Sequence, residues 1–405
     1  MRKKILLFGL GNVGGGFYRL FSSLSAFLPA EIIGVVVKHR EKHPNIPHIY
    51  SYDDLSWRDS WEKADIVIEC TSDPIAGWEI IFRSLQAGKV VITSSKRPLA
   101  ENLSILAGWL ESHPKAVLYH EAAAAASIPV FGGILSHFSV EPSRELVAVL
   151  NGTSHYILEQ VFQRGLSLEE ALLEAQARGY AEENPHLDLS GWDAAYKLIL
   201  FVWHLFQKVL SPSELFVTGI YGISPLEVEY LSRHKVFLKP VAYATSSSEG
   251  LYTYVGPAIL PSEHPFAGLR GAENGIILDL LWAGKQYYQG LGAGPSATAS
   301  AVMGDLCFHL FLGKSPHRPP LPDRQIVLPT RPIDTFYVRG DALIESLSGG
   351  TKVSLGDIPA IVWTGPVDLL RSATQSLPPD RFCVARVFPE ALTRLSGVAG
   401  VLQCA

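Results

Sequence analysis

Near the start of the chain, Ile5-Leu6-Leu7-Phe8 runs straight into Gly9-Leu10-Gly11-Asn12-Val13-Gly14, and an apolar face follows at Phe17, Leu20, Phe21 and Leu24. This reads as strand, tight turn and helix. Gly9 permits the turn, Gly11 lets backbone approach a pyrophosphate, and Gly14 lets helix and strand pack closely. With Asn12 and Val13 in the same loop, a dinucleotide phosphate would rest on the free N–H groups of the helix start. A parallel α/β sheet of Rossmann type is the first expectation.

The rest of this region fits. A strand over Glu31–Val37 ends in Lys38-His39-Arg40, where an NAD site usually has an acidic residue for the ribose hydroxyls. Lys38 and Arg40 suit the extra 2′-phosphate of NADP(H), with NAD(H) the alternative. A strand over Ala64–Cys70 ends in Thr71-Ser72, a helix covers Pro74–Gln86, and a strand over Val90–Thr93 is followed by Ser94-Ser95-Lys96. Thr71, Ser72, Ser94 and Lys96 thus stand at carboxyl ends of parallel strands, where ligands bind in such sheets. A helix near 101–111 and a strand over Ala116–His120 complete the series.

Composition narrows the class. Of 405 residues, 47% are apolar and 18% charged, which excludes a disordered chain. The length suggests two or three domains. A net charge of −5 provides no general attraction to nucleic acid. The four cysteines show no metal-ligand spacing and fit a reducing, cytoplasmic setting. No run reaches the roughly 20 apolar residues of a membrane span. The basic start leads into glycines rather than a signal-peptide cleavage site.

The middle of the chain carries the reactive side chains. Glu121 opens an alanine run, Ala122–Ala126, and propensity favours a helix there, with another from Ile128 to Ser136. After a strand over Glu145–Leu150, Asn151-Gly152-Thr153-Ser154 supplies polar groups that cap a helix or face a ligand. The densest cluster is Gly179-Tyr180-Ala181-Glu182, then Asp188, Gly191, Asp193 and Lys197 in an irregular linker and the helix after it. Asp193 and Lys197 are i and i+4, so they share one helical face. The helix continues Leu198–Trp203 and is apolar nearly all round, so the pair lines a pocket rather than a surface. A glycine-rich turn at Gly290-Leu291-Gly292-Ala293-Gly294 enters a helix of small residues.

Together these pieces, in this order over roughly residues 5–310, resemble homoserine dehydrogenase. The resemblance implies an NAD(P)-dependent reversible reduction of L-aspartate 4-semialdehyde to L-homoserine in threonine, methionine and isoleucine biosynthesis. It implies that Glu182 binds the substrate amine, that Asp188 contributes to that polar pocket, and that Asp193 and Lys197 serve the reaction centre, with Lys197 as proton donor. It places Lys96 between cofactor and substrate and Gly292 at the cofactor. It implies a sodium ion on the backbone carbonyls of Glu121, Ala124, Ala126 and Ile128, and a homodimer. The sequence departs from the family pattern at Ser95, Ser127, His155 and His186, so a reductase of a related amino-acid semialdehyde and a catalytically silent cofactor-binding regulator stand as alternatives.

The expected organisation is an NAD(P)-binding Rossmann domain over 1–128 and an α+β catalytic and dimerisation domain over 129–310. The last helix of the latter, from about 293, packs back on the first domain. A proline-rich linker covers 311–332 and a small α+β module 333–405. The module reads as strands at Thr335–Arg339, Lys352–Leu355, Ala360–Trp363 and Phe382–Val387. It is either a degenerate ACT-like module or a structural appendage.

Overall fold

The computed structural model describes residues 2–138, 141–247, 250–313, 334–347, 350–355, 358–365, 367–375, 377–392 and 394. The chain begins with β1 (Lys3–Phe8), α1 (Asn12–Leu24), β2 (Ala30–Val37), β3 (Ile49–Ser51), α2 (Arg58–Lys63), β4 (Ile66–Glu69), α3 (Pro74–Gln86), β5 (Val90–Thr93), α4 (Lys96–Glu101), α5 (Leu103–Ser112), β6 (Leu118–Tyr119) and α6 (Val130–His137). It continues with β7 (Ser143–Val149), α7 (Gly152–Arg164), α8 (Leu168–Ala177), α9 (His186–Leu189), α10 (Trp192–Phe206), α11 (Pro225–Arg233), β8 (Val236–Ser247), β9 (Gly250–Pro261), β10 (Glu273–Leu280), β11 (Gly284–Leu291) and α12 (Pro295–Leu312). The tail holds β12 (Thr335–Arg339), α13 (Asp341–Ser346), β13 (Thr351–Leu355), β14 (Ile358–Thr364), α14 (Val367–Thr374) and β15 (Cys383–Val387). The proline-rich stretch lies outside the described residues from 314 to 333.

Two compact units emerge: Met1–Glu141 with Ile199–Pro212 and Leu291–Asp323, and Pro142–Leu198 with Ser213–Gly290 and Arg324–Ala405. The first is built on a six-stranded sheet in the order β3-β2-β1-β4-β5-β6. Every neighbouring pair is parallel. This is the doubly wound order, which switches direction between β1 and β4. Parallel strands are covered on both faces, so β1 is buried without alternation from Ile5 to Phe8. Ile5, Leu7, Phe17 and Phe21 pack with Val302, Met303 and Leu306 of α12 in one core. The small residues of α12 let it approach α1, where a Cβ on Gly16 would stand 3.0 Å from that of Ala299.

The second unit carries a nine-stranded sheet in the order β11-β10-β7-β8-β9-β15-β12-β14-β13. β10, β7, β8 and β9 pair antiparallel in turn. The tail forms βαββαβ with its strands ordered β15-β12-β14-β13, a ferredoxin-like α+β arrangement. Its β15 pairs parallel with β9 (Arg386 against Ala258), so the tail continues the sheet. Phe336, Val338 and Trp363 share a core with Val241, Tyr254 and Leu260.

Two local expectations change, while Lys96 stands just beyond β5 as expected, as the first residue of α4. The alanine run forms only a single 3-10 turn over Glu121–Ala123, and Ala126 adopts a left-handed φ of 49°. There the Glu121 carboxylate accepts the Phe131 and Gly132 amides at 3.0 and 2.7 Å, and this tertiary cap at the start of α6 overrides alanine propensity. The irregular linker around Asp188 contains the short helix α9. No helix among the described residues is long and apolar enough to cross a membrane.

Candidate active site

In the first unit, the turn after β1 is built around its glycines. Gly9 has φ 87°, and a Cβ on it would lie 2.4 Å from the Cys70 carbonyl oxygen. A Cβ on Gly14 would fall 2.1 Å from the Gly9 carbonyl oxygen, so both positions exclude any side chain. Gly11 caps α1 and has nothing within 4 Å of its Cβ position. The loop is therefore closed against the sheet and open outward, with Asn12 and Val13 beginning the helix. Open space above free N–H groups at the switch point is what a pyrophosphate needs.

Most of the other residues expected at the cofactor follow the carboxyl ends of the parallel strands. Lys38 follows β2 and is exposed. Arg40 opens a short 3-10 turn, and its guanidinium lies 3.8 Å from the Asp54 carboxylate. Thr71 and Ser72 follow β4, and Ser94 precedes Lys96 after β5. Gly292 is buried. Ser127, one of the departures, donates its hydroxyl to the Leu291 carbonyl at 3.0 Å.

The turn expected to bind sodium has a distinct electrostatic character. Glu121 is half-buried, and desolvation pushes its carboxyl up to about 7 despite three backbone amides that favour the charged form. Asp305 accepts the Glu121 amide at 3.1 Å and is raised well above the usual carboxylate range, by burial first and by Glu121 second. A nearby cation would relieve two adjacent acids of this kind.

The second unit assembles the reactive cluster. Asn151 caps α7, its Oδ1 accepting the Ser154 amide at 2.7 Å. Its Nδ2 donates to Asp188 at 2.6 Å and to Asp193 at 2.8 Å. Asp193 and Lys197, one turn apart on α10, meet at 2.9 Å with side chains only 12% and 9% exposed. Lys197 also donates to the Leu150 carbonyl at 2.6 Å. One buried ammonium is thus held by a carboxylate and a carbonyl, and that carboxylate is itself held by an amide. Asp188 is half-buried at the end of α9. Glu182 is exposed, and its carboxylate makes no hydrogen bond or ion pair to another described residue.

The sequence presents Asn151 as a helix cap or a ligand-facing group, and its bridge is not legible there, because its partners lie 37 and 42 positions away. His155, one of the departures from the family pattern, is fully buried and meets Lys239 at 2.7 Å. Burial and the Lys239 charge push the imidazole down to about 3, and burial holds Lys239 at about 8. The neutral imidazole thus accepts from the ammonium.

Comparison with known proteins decides the family. A family model described as homoserine dehydrogenase matches residues 129–307, and one described as homoserine dehydrogenase, NAD binding domain, matches residues 9–119. The chain is 31% identical over 316 residues to a homoserine dehydrogenase of Lactococcus lactis, covering 76% of this chain and 74% of that protein. The chain belongs to the homoserine dehydrogenase family. A homoserine dehydrogenase of Mycobacterium tuberculosis is likewise 31% identical over 315 residues, with 75% of this chain and 71% of the relative covered. A solved homoserine dehydrogenase from Thiobacillus denitrificans superposes with a TM-score of 0.79 over 96% of this chain and 98% of its own, at 22% identity, and so shares the fold including the tail. Membership in the homoserine dehydrogenase family makes the chain an oxidoreductase with a dinucleotide cofactor.

Proposed function

We propose that this protein is an NADP-preferring homoserine dehydrogenase that reversibly reduces L-aspartate 4-semialdehyde to L-homoserine in threonine, methionine and isoleucine biosynthesis. The observation that carries this reading is the buried Lys197, held by Asp193 and the Leu150 carbonyl. The dinucleotide, when bound, supplies the hydride. As charge grows on the carbonyl oxygen, the Lys197 ammonium stabilises it and donates a proton to it. Asp193 keeps that ammonium oriented, and Asn151 keeps Asp193 oriented. Glu182 and Asp188 offer carboxylates to the substrate amine, and the Glu182 carboxylate makes no hydrogen bond or ion pair to another described residue.

Gly9, Gly11 and Gly14 shape the pyrophosphate loop. Lys38 and Arg40 favour the 2′-phosphate of NADP(H), and Thr71, Ser72, Ser94, Lys96 and Gly292 complete the cofactor contacts. A sodium ion on the carbonyls of Glu121, Ala124, Ala126 and Ile128 would stiffen that turn. Cys70, Cys307 and Cys383 are free thiols, in keeping with a cytoplasmic enzyme. We take it to act as a homodimer.

The test is absorbance at 340 nm during incubation with L-aspartate 4-semialdehyde, once with NADPH and once with NADH. The expected result is loss of absorbance with homoserine as product and higher kcat/KM with NADPH. Turnover of another semialdehyde alone would move the substrate assignment. Higher efficiency with NADH would overturn the cofactor preference.

A further inference from the structure

Glu69 closes β4 with 0% of its surface exposed, at the switch-point side of the first sheet. Its Oε1 accepts the Thr71 amide at 2.7 Å and the Thr71 hydroxyl at 2.5 Å. Its Oε2 accepts the Thr93 hydroxyl at 2.5 Å. The Thr93 oxygen in turn accepts the Ser95 amide at 3.0 Å, and the Ser95 hydroxyl donates back to the Thr71 carbonyl at 3.3 Å. Ser95 is the residue before Lys96 and the N-cap of α4. A closed polar ring therefore joins the loop after β4 to the loop after β5. A helical glycine is packed over it, since a Cβ on Gly77 would stand 3.3 Å from Glu69 Oε1 and 3.3 Å from the Thr71 hydroxyl.

A buried carboxylate is a poor way to stabilise a sheet, because its desolvation offsets what its hydrogen bonds return and an apolar residue of like volume does as well. What an acceptor-only group with two oxygens does well is hold several donors in fixed directions. Here the donors are Thr71, in the loop after β4, and Thr93, the last residue of β5, which leads through Ser94 and Ser95 to Lys96 at the start of α4. We infer that Glu69 is a positioning residue that ties these two strand-end loops together and so sets Thr71, Ser94 and Lys96 for the dinucleotide. The assignment rests on the dehydrogenase reading for its catalytic consequence, though not for the tie itself.

The experiment compares wild type with Glu69→Ala, Glu69→Gln and Thr93→Val. It measures NADPH affinity by fluorescence titration without substrate, kcat and both KM values, and the melting temperature. Loosened loops should weaken NADPH binding about tenfold in Glu69→Ala and lower kcat by at least as much, since misplacement by about 1 Å costs up to 10²-fold. The KM for homoserine should move less than about twofold, because Glu182 and Asp188 lie on other segments of the chain. Glu69→Gln should fall between, as its amide keeps an acceptor for Thr71 but presents N–H to the Thr93 hydroxyl. Thr93→Val should weaken NADPH binding about threefold and add nothing in the Glu69→Ala background, the mark of one shared linkage. NADPH affinity and kcat within twofold of wild type in Glu69→Ala, with only the melting temperature lowered, would overturn the inference. If Glu69→Ala does not fold, the near-isosteric Thr93→Val decides alone, and unchanged NADPH affinity overturns it. If wild type binds NADPH but turns over no semialdehyde, the dehydrogenase reading fails while the titrations still report on the tie.

Discussion

Lys197 and Asp193 stand one turn apart on α10, 2.9 Å from each other, and each residue is more than nine-tenths buried. An exposed pair at this spacing contributes about 0.5 kcal/mol or less, whereas burial makes each partner depend on the other. Breaking such a pair from one side costs about 3–5 kcal/mol. Asp193→Ala should therefore lower the unfolding free energy by an amount in that range. Lys197→Ala should cut kcat by about 10² to 10⁴ while NADPH binding persists. Steady-state kinetics with fluorescence titration of the cofactor reads both, and undiminished turnover in Lys197→Ala would take the proton-donor role from this residue.

Asn151 uses both amide hydrogens on two carboxylates and its oxygen on the α7 N-terminus. Asn151→Ala removes a helix cap, worth about 1 kcal/mol. It also leaves Asp188 and Asp193 facing each other without their shared donor, and kcat should drop about tenfold as Lys197 loses its fixed partner. Asn151→Asp should be worse in both respects, because it adds a third carboxylate. Urea midpoints and kcat together test this, and equal behaviour of the two variants would count against the bridge.

Lys38 and Arg40 are exposed, so their attraction for phosphate is moderate and screened by salt. Replacing either with Ala should raise the KM for NADPH about three- to tenfold and leave that for NADH nearly unchanged. The effect should shrink between low and high ionic strength. Equal changes for both cofactors would mean that these residues do not read the 2′-phosphate.

His155 supplies a pH dependence whose sign follows from its environment. Its imidazole titrates at about 3 in the folded protein, against about 6.5 unfolded. Between those values the unfolded chain binds the extra proton, so stability falls as pH drops from about 6.5 toward 3. Lys239, held at about 8, adds a loss between about 10.5 and 8 and a constant term below that. In His155→Asn, the amide can still accept from Lys239 but does not titrate. From pH 7 to 5, wild type should lose about 2 kcal/mol more unfolding free energy than this variant. Parallel curves for the two proteins in chemical denaturation would show that the imidazole is not held neutral.

Much of the site is legible in the amino-acid sequence. The glycine spacing at Gly9, Gly11 and Gly14 depends on local backbone geometry, and the collisions a Cβ would meet at Gly9 and Gly14 follow from it. The shared face of Asp193 and Lys197 needs only the helical period, and the apolar stretch after them announces burial. The tail's four strands are likewise visible from their runs of apolar and β-branched residues. Helix α9 and the failed alanine helix are not, because a few residues of propensity yield to a cap such as Glu121 at the start of α6.

Glycine spacing thus pointed to a dinucleotide loop and helical periodicity to a buried Asp–Lys pair, while the order of the motifs carried the family resemblance. Tertiary structure alone decided which distant groups meet. Asn151 reaches across 42 positions to Asp193, Thr93 reaches across 24 to Glu69, and β15 pairs with β9 rather than standing apart. The reason is physical. The periodic placement of side chains along a chain specifies which face of an element is buried, but a polar group chooses its partner only when packing brings donors and acceptors together in a space that excludes water.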